Sequence, residues 1–397
     1  MDEYDIVVTG GGPIGCFVAE QLASNGRHVA VFEEHSTIGE PVHCAGLVTK
    51  RVFDISKYSP TSLTQNKIYG AIIHSPSRLT LTIGGDSVHG LVINRQKFDE
   101  KIAQKMQKAG ANLSVEHKVV SAQKQGNHIT LTIQQNEQTL TVQCSILIGA
   151  DGPHSSIRKI FRFPNPIEML QGIGAEVSDT TLDPRFVHIF VGRNIAPGFF
   201  AWIIPTNVHG TSARIGLCIG KQSSRPLHHY FIALLQQPLL QGITVMKRFG
   251  GTIPLGPLKK TVNDHVMLVG DAAAQVKPTS GGGVYSGLLC ATQCAIVAEE
   301  ALQKQQFDGK FLKQYHRRWT NEIGRELSLG MGFRKIFTSL TDEQFNKYLE
   351  KLNNKKTIGV INTHGDIDYP SRLTLPLIRA SPSLLSLAPA VMKRTKQ

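Results

Sequence analysis

Residues 4–15, Tyr4-Asp5-Ile6-Val7-Val8-Thr9-Gly10-Gly11-Gly12-Pro13-Ile14-Gly15, read as an apolar strand running into a glycine turn. A helix from Cys16 to Asn25 and a second strand, Val29-Ala30-Val31-Phe32-Glu33, complete a βαβ unit within the first 33 residues. In the spacing Gly10-x-Gly12-x-x-Gly15 each glycine has a mechanical task. Gly10 permits the tight turn, Gly12, followed by Pro13, lets backbone approach a pyrophosphate, and Gly15 lets helix pack on strand. Glu33, 18 residues past the last glycine, is placed to accept from a ribose hydroxyl. A bare glycine motif also suits a tight turn with no ligand. Starting at residue 10, between strand and helix and with the acid in place, it predicts dinucleotide binding.

Two further strands repeat the buried pattern. Ser145-Ile146-Leu147-Ile148-Gly149-Ala150 ends in Asp151-Gly152, followed by Ser155 and Arg158; the alternative is an ordinary strand-terminal turn. Val266-Met267-Leu268-Val269 ends in Gly270-Asp271, then a turn through Gly281, Gly282 and Gly283 into a helix from Val284 to about Ala301. A carboxylate at that strand end suits a ribityl hydroxyl. The amides of 281 to 283, at a helix N-terminus, suit the negative N1–C2 carbonyl edge of a reduced flavin. The pairing favours FAD over NAD.

Residues 166–254 change to period-two strands, with a hairpin of Phe199 to Pro205, turn Asn207 to Gly210, and Thr211 to Ile219. Residues 307–356 read as helical and basic, with 11 Lys+Arg against 6 Asp+Glu. The expected fold is α/β, with a Rossmann-like FAD domain (1–75, 92–165 and 255–305) and an inserted antiparallel β-sheet substrate domain (76–91 and 166–254). A C-terminal helical region and tail, 306–397, completes it.

Composition bounds the partners. The chain has 397 residues, 41% of them hydrophobic, and a net charge of +13. This describes two to three domain-lengths of globular protein and excludes disorder, collagen and coiled coil. Six dispersed cysteines without a C-x-x-C pair fit a reduced, cytoplasmic setting without a zinc or iron–sulfur site. The N-terminus lacks a basic leader region, and no window reaches the roughly 18 apolar residues of a membrane span. The charge itself suits nucleic acid, an anionic membrane or an acidic substrate.

The chain resembles the geranylgeranyl reductase family, within the para-hydroxybenzoate hydroxylase-like flavoproteins, over roughly residues 1–340. The superfamily's share is the glycine motif, Arg95 with Phe98-Asp99, Ala150-Asp151-Gly152 and Gly270-Asp271. More specific are Gly39-Glu40-Pro41-Val42-His43-Cys44-Ala45-Gly46-Leu47, similar to the family's cysteine loop, and Pro197 to Pro205. The latter is similar to a Tyr-x-Trp-x-Phe-Pro substrate motif, with Phe200 for Tyr and Ile204 for Phe.

The resemblance implies an FAD-dependent reductase that saturates C=C bonds of geranylgeranyl chains, in archaeal-type isoprenoid ether phospholipids. Cys44 and Ala45 would lie near the flavin, Cys44 orienting substrate, shaping the pocket or taking part in redox; the alternative is a small buried hydrophobe. His43 would relay a proton or be structural. Arg95 would reach the FAD phosphates or ribityl chain, or lie on the surface. Phe200, Trp202 and Ile204, on one strand face, would wall an apolar cavity or form sheet core. The electron donor is NAD(P)H or reduced ferredoxin. The protein is expected to be a monomer without a nucleic-acid partner, and Arg317, Arg318, Arg325, Arg334 and Lys335, with the Lys393-Arg394-Thr395-Lys396 tail, suit peripheral binding to an anionic membrane; the alternative is a merely solvated basic surface. Other readings are a flavin monooxygenase or halogenase, and a basic binding module with a vestigial nucleotide fold.

Overall fold

In the computed structural model, which describes residues 2–387, the opening strand Asp2–Thr9 is central to an eight-stranded sheet. It pairs in parallel with Val29–Phe32 on one side and Gln138–Gly149 on the other, and the latter pairs in parallel with Val266–Leu268. Register matters here. Thr9 stands opposite Gly149, and Gly149 opposite Leu268. The three turns that follow, at Gly10, Ala150-Asp151 and Gly270-Asp271, therefore meet at one edge of the sheet, where ligands of open α/β folds bind.

Alternation along Asp2–Thr9 supplies both faces of that sheet. Ile6 and Val8 are buried against the helices Pro13–Ser24, Arg95–Lys108 and Val284–Lys304. Val7 is buried on the other face, which is covered by the antiparallel strands Lys118–Gln125 and His128–Gln135 through Ile129, Leu131 and Ile133. The first helix begins at Pro13 rather than Cys16. Proline suits that position, because its fixed φ is helical and its missing N–H would have no partner there.

A seven-stranded sheet stands beside the first. Its order is Thr244–Leu255, Glu168–Ser178, Ser212–Ile219, Phe200–Pro205, Phe186–Val191, Gly70–His74 and Thr80–Gly84. The expected hairpin forms, and Asn207 holds its turn by accepting from the amides of His209 and Thr211. The contribution from the first half of the chain is Gly70–His74 and Thr80–Gly84, so the sheet begins earlier than the expected 76–91. Gly90–Ile93 belongs instead to a small sheet with Leu47–Val48 and Thr64–Ile68.

One face of the seven-stranded sheet packs on the helix Leu227–Leu235. The other carries Phe200, Trp202 and Ile204. Helices from Gly309 to Ala380 close the described fold. Arg334, expected on a basic surface, is 4% exposed, paired with Glu168 and set over the ring of Phe199. Lys393, Arg394 and Lys396 lie outside the described residues.

Candidate functional site

The glycine turn is shaped by what it touches. Gly10 has φ +99°, and a Cβ there would collide with the Ala150 carbonyl; at Gly15 it would collide with the Gly10 carbonyl. Gly12 differs. It precedes the helix Pro13–Ser24, and a Cβ on it would meet no protein atom within 4 Å. The backbone there is open toward the positive end of a helix, as a pyrophosphate requires. Glu33 directly follows the second strand, but both its carboxylate oxygens already serve the chain. Oε2 accepts from the Gly11 amide at 2.6 Å, and Oε1 from the His35 amide at 2.9 Å. A ribose hydroxyl would share those oxygens.

Asp271 is the acceptor with nothing to accept. Among the described residues no group donates a hydrogen bond to its carboxylate, and burial pushes it up to about 6 against the pull of Arg95. A carboxylate left this way fits the hydroxyls of a ribityl chain. Of the three turn amides expected to face a flavin, that of Gly281 is spent on the Lys277 carbonyl at 2.9 Å, and that of Gly282 meets Ser280 Oγ at 3.4 Å. Gly283 lies against Asp271, and a Cβ there would stand 3.0 Å from Oδ1.

Arg95 is not a surface residue. Its guanidinium, 11% exposed, makes an i,i+4 pair with Asp99 at 3.0 Å. Burial opposes its charge, but Asp99 and Cys44 hold it firmly protonated. Its charge is felt by Asp271 as well. Cys44 is half-buried, with Sγ 3.4 Å from the Gly46 amide, whereas the other five cysteines are buried. For Cys16, Cys144, Cys218, Cys290 and Cys294 burial raises the thiol well above its ordinary range, so none carries thiolate chemistry.

Asp151 is engaged within its own turn. Its carboxylate accepts from Ser155 Oγ at 2.6 Å and from the Ile157 amide at 3.0 Å, capping the helix Ser156–Ile160. Its backbone lies against Gly10. Arg158 ties the same turn to the third strand end, donating to the carbonyls of Pro153 and Ala272.

The apolar wall is a continuous row. Phe199 and Phe200 stack at 4.2 Å, and Phe200 meets Trp202 edge-on at 6.2 Å. Phe200 and Trp202 are half-buried and pack with Leu170, Cys218 and Val276, the last from the flavin-side turn. Ile204, 4% exposed, packs with the Ala45 and Leu47 side of the cysteine loop. It backs the wall as core rather than facing a cavity. The indole of Trp202 lies against Gly216, where a Cβ would stand 2.5 Å from the ring, and its buried Nε1 has no hydrogen-bond partner.

Arg214 escaped the reading of the sequence. Buried on Ser212–Ile219, it donates to the carbonyls of Ala45 and Ile93, to Gln65 Oε1 and to Glu176, clamping the cysteine loop onto the sheet. The available signal was a lone charge in an otherwise apolar run. His43 is exposed, and its Nδ1 bonds the Gly250 carbonyl, which assigns the proton to Nδ1 and leaves Nε2 as acceptor in the neutral ring.

Residues 3–230, more than half of the chain, match the FAD binding domain family. An uncharacterized protein of Methanocaldococcus jannaschii is 31% identical over 96% of this chain and 96% of its own. The digeranylgeranylglycerophospholipid reductase of the same organism is 28% identical over 88% of this chain and 91% of its own. Among solved structures, a geranylgeranyl bacteriochlorophyll reductase-like protein from Thermoplasma acidophilum has the same fold. Its TM-score is 0.86 at 21% identity, over 98% of this chain and 100% of that one. The open turn at Gly12, the unpartnered Asp271 and this match agree: the chain belongs to the FAD binding domain family and is an FAD-dependent oxidoreductase, with digeranylgeranylglycerophospholipid reductases among its homologues.

Proposed function

We propose that this flavoprotein saturates C=C bonds of geranylgeranyl chains in archaeal-type isoprenoid ether phospholipids. The observation that carries the reading is the Phe200–Trp202–Ile204 row, packed at one end against Val276 of the flavin-side turn and at the other against Ala45 and Leu47 beside Cys44. A prenyl chain has almost no polar handles. Its binding rests on buried apolar area, at roughly 25 cal/mol per Å².

When bound and reduced, FAD supplies a hydride to the alkene. The chain's own residues do the rest. Gly12 and the helix after it would hold the pyrophosphate, Asp271 would take a ribityl hydroxyl, and Arg95, paired with Asp99, would keep a positive charge beside them. Phe200 and Trp202 press the apolar chain into place and exclude water. His43, anchored through Nδ1, keeps Nε2 to carry a proton, and Cys44 shapes the pocket. NAD(P)H or reduced ferredoxin supplies the electrons, and an anionic membrane supplies the lipid.

The test is anaerobic. Dithionite-reduced holoprotein mixed with an unsaturated geranylgeranyl ether lipid is expected to yield a product heavier by two hydrogens per bond, read by mass spectrometry. A requirement for oxygen, or a hydroxylated or halogenated product, overturns the reading. Trp202→Ala is expected to raise KM for the lipid roughly tenfold or more, with a smaller change in kcat, because it removes binding area shared by substrate and transition state.

Asp271→Asn separates cofactor binding from folding. The carboxylate's folded pKa is raised, so its favourable contribution is present below the ordinary carboxylate range and is lost as pH rises through about 6. Asparagine removes that loss. The apoprotein variant is expected to be more stable at neutral pH by on the order of 1–2 kcal/mol, discounting for the open side of the site. The same variant is expected to bind FAD at least tenfold more weakly, as measured by flavin fluorescence titration.

A further inference from the structure

We infer that the helix Ser371–Ala380 is the surface on which this protein meets an anionic lipid bilayer. The inference rests on the lipid-reductase reading and adds the place of contact. No residue of this helix is buried, so its own packing gives it little hold on the fold. It is held at its root instead. Asp366 and Asp368, just before it, pair with Arg51 and Lys277, and Tyr369 bonds Tyr285 at 2.8 Å with the guanidinium groups of Arg51 and Arg372 over its ring. Glu326 accepts from the amide and hydroxyl of Ser371. Arg51 follows the cysteine loop, and Lys277 and Tyr285 flank the flavin-side turn, so the helix is mounted beside the candidate site.

Its exposed residues are Arg372, Leu375 and Arg379. They recur at i, i+3 and i+7 and form one stripe. Leu375 is 56% exposed, and Ile367 and Leu329 nearby in the fold are 41% and 40% exposed. Charge decides the occupant. From Tyr369 to Leu387 the chain has two arginines, six leucines and no aspartate or glutamate. Leucine inserted at a headgroup boundary between snorkelling arginines is the pattern of an interfacial helix. Among the described residues no helix is long and apolar enough to cross one.

The experiment uses full-length holoprotein and sedimentation with phosphatidylglycerol or phosphatidylcholine vesicles at low and high salt. Wild type is expected to bind the anionic vesicles, salt-sensitively, and the neutral ones weakly. Leu375→Glu and Arg379→Glu are each expected to weaken binding about tenfold, and Arg317→Glu, on another helix, to change it little. Flavin absorbance and thermal unfolding check that each variant is folded. The inference is overturned if wild type ignores anionic vesicles, if Leu375→Glu binds as wild type does, or if that variant instead dissolves a dimer seen by size exclusion. Reduction of a detergent-dispersed prenyl lipid by Leu375→Glu keeps the outcome separate from the reductase reading, which absence of that reduction in wild type would count against instead.

Discussion

Replacing Asp368 by alanine is expected to destabilise the protein by on the order of 3–5 kcal/mol, the cost of stripping one partner from a buried ionic cluster. The carboxylate is 1% exposed and accepts from Lys277, from Thr49 Oγ1 at 2.5 Å and from Arg51 at 3.1 Å. Lys277, itself 7% exposed, would be left as an unpaired buried charge. Adding Lys277→Met to Asp368→Ala is therefore expected to restore part of the loss, because an apolar pair of similar volume removes the orphan. Chemical denaturation of the single and double variants measures both. If Asp368→Ala unfolds at the wild-type midpoint, the cluster contributes nothing and the C-terminal segment is not held by it.

Acid acts on the same cluster through its neighbour. Burial pushes the Asp366 carboxylate up, but hydrogen bonds from Arg51 and from the Asp368 and Tyr369 amides outweigh it and hold the group below its ordinary range. A depressed carboxylate contributes stability above its unfolded pKa and loses it as pH falls through the folded value. Thermal stability of wild type is expected to drop below about pH 4, where carboxylates take up protons, and less so in Asp366→Asn.

Gly12→Val is expected to abolish FAD retention while leaving the apoprotein's melting temperature close to wild type. The reason is the empty space around Gly12, where a Cβ meets no protein atom within 4 Å. A larger side chain fits the protein and occupies the approach of the pyrophosphate, a loss of hundredfold or more in affinity by the logic of close backbone contact. Gly15→Val supplies the contrast. Its Cβ falls inside the Gly10 carbonyl, so that variant is expected to lose folding as well as flavin. Flavin absorbance of the purified variants, with thermal unfolding of their apo forms, separates the two effects. A yellow Gly12→Val protein with wild-type affinity would remove the turn from the cofactor site.

Much of the FAD domain was legible because its signals are local. Gly10, Gly12 and Gly15 act on atoms within a few residues or on the adjoining strand end, and the apolar runs at 6–8, 146–148 and 266–269 can only be buried strands. The hairpin turn at Asn207 is local too. The surroundings of single side chains were less legible: Asp271 meets no donor among the described residues, Asp151 accepts from Ser155 and the Ile157 amide, and Ile204 is sealed into the core.

What the sequence alone determined, then, is the βαβ unit, the order of the three strand-end motifs and the period-two sheet that follows. Each depends on residues close in the chain, where backbone geometry and side-chain alternation leave few options. What only the tertiary structure decided is the set of long-range clamps: Arg214 on the cysteine loop, His43 on Gly250, and Asp368 on Lys277. Those partners are far apart in sequence, and a charged residue in a string carries no mark of the distant group that will neutralise it. Arg334 and Arg317 look alike until folding pairs one with Glu168 beneath Phe199 and leaves the other in water.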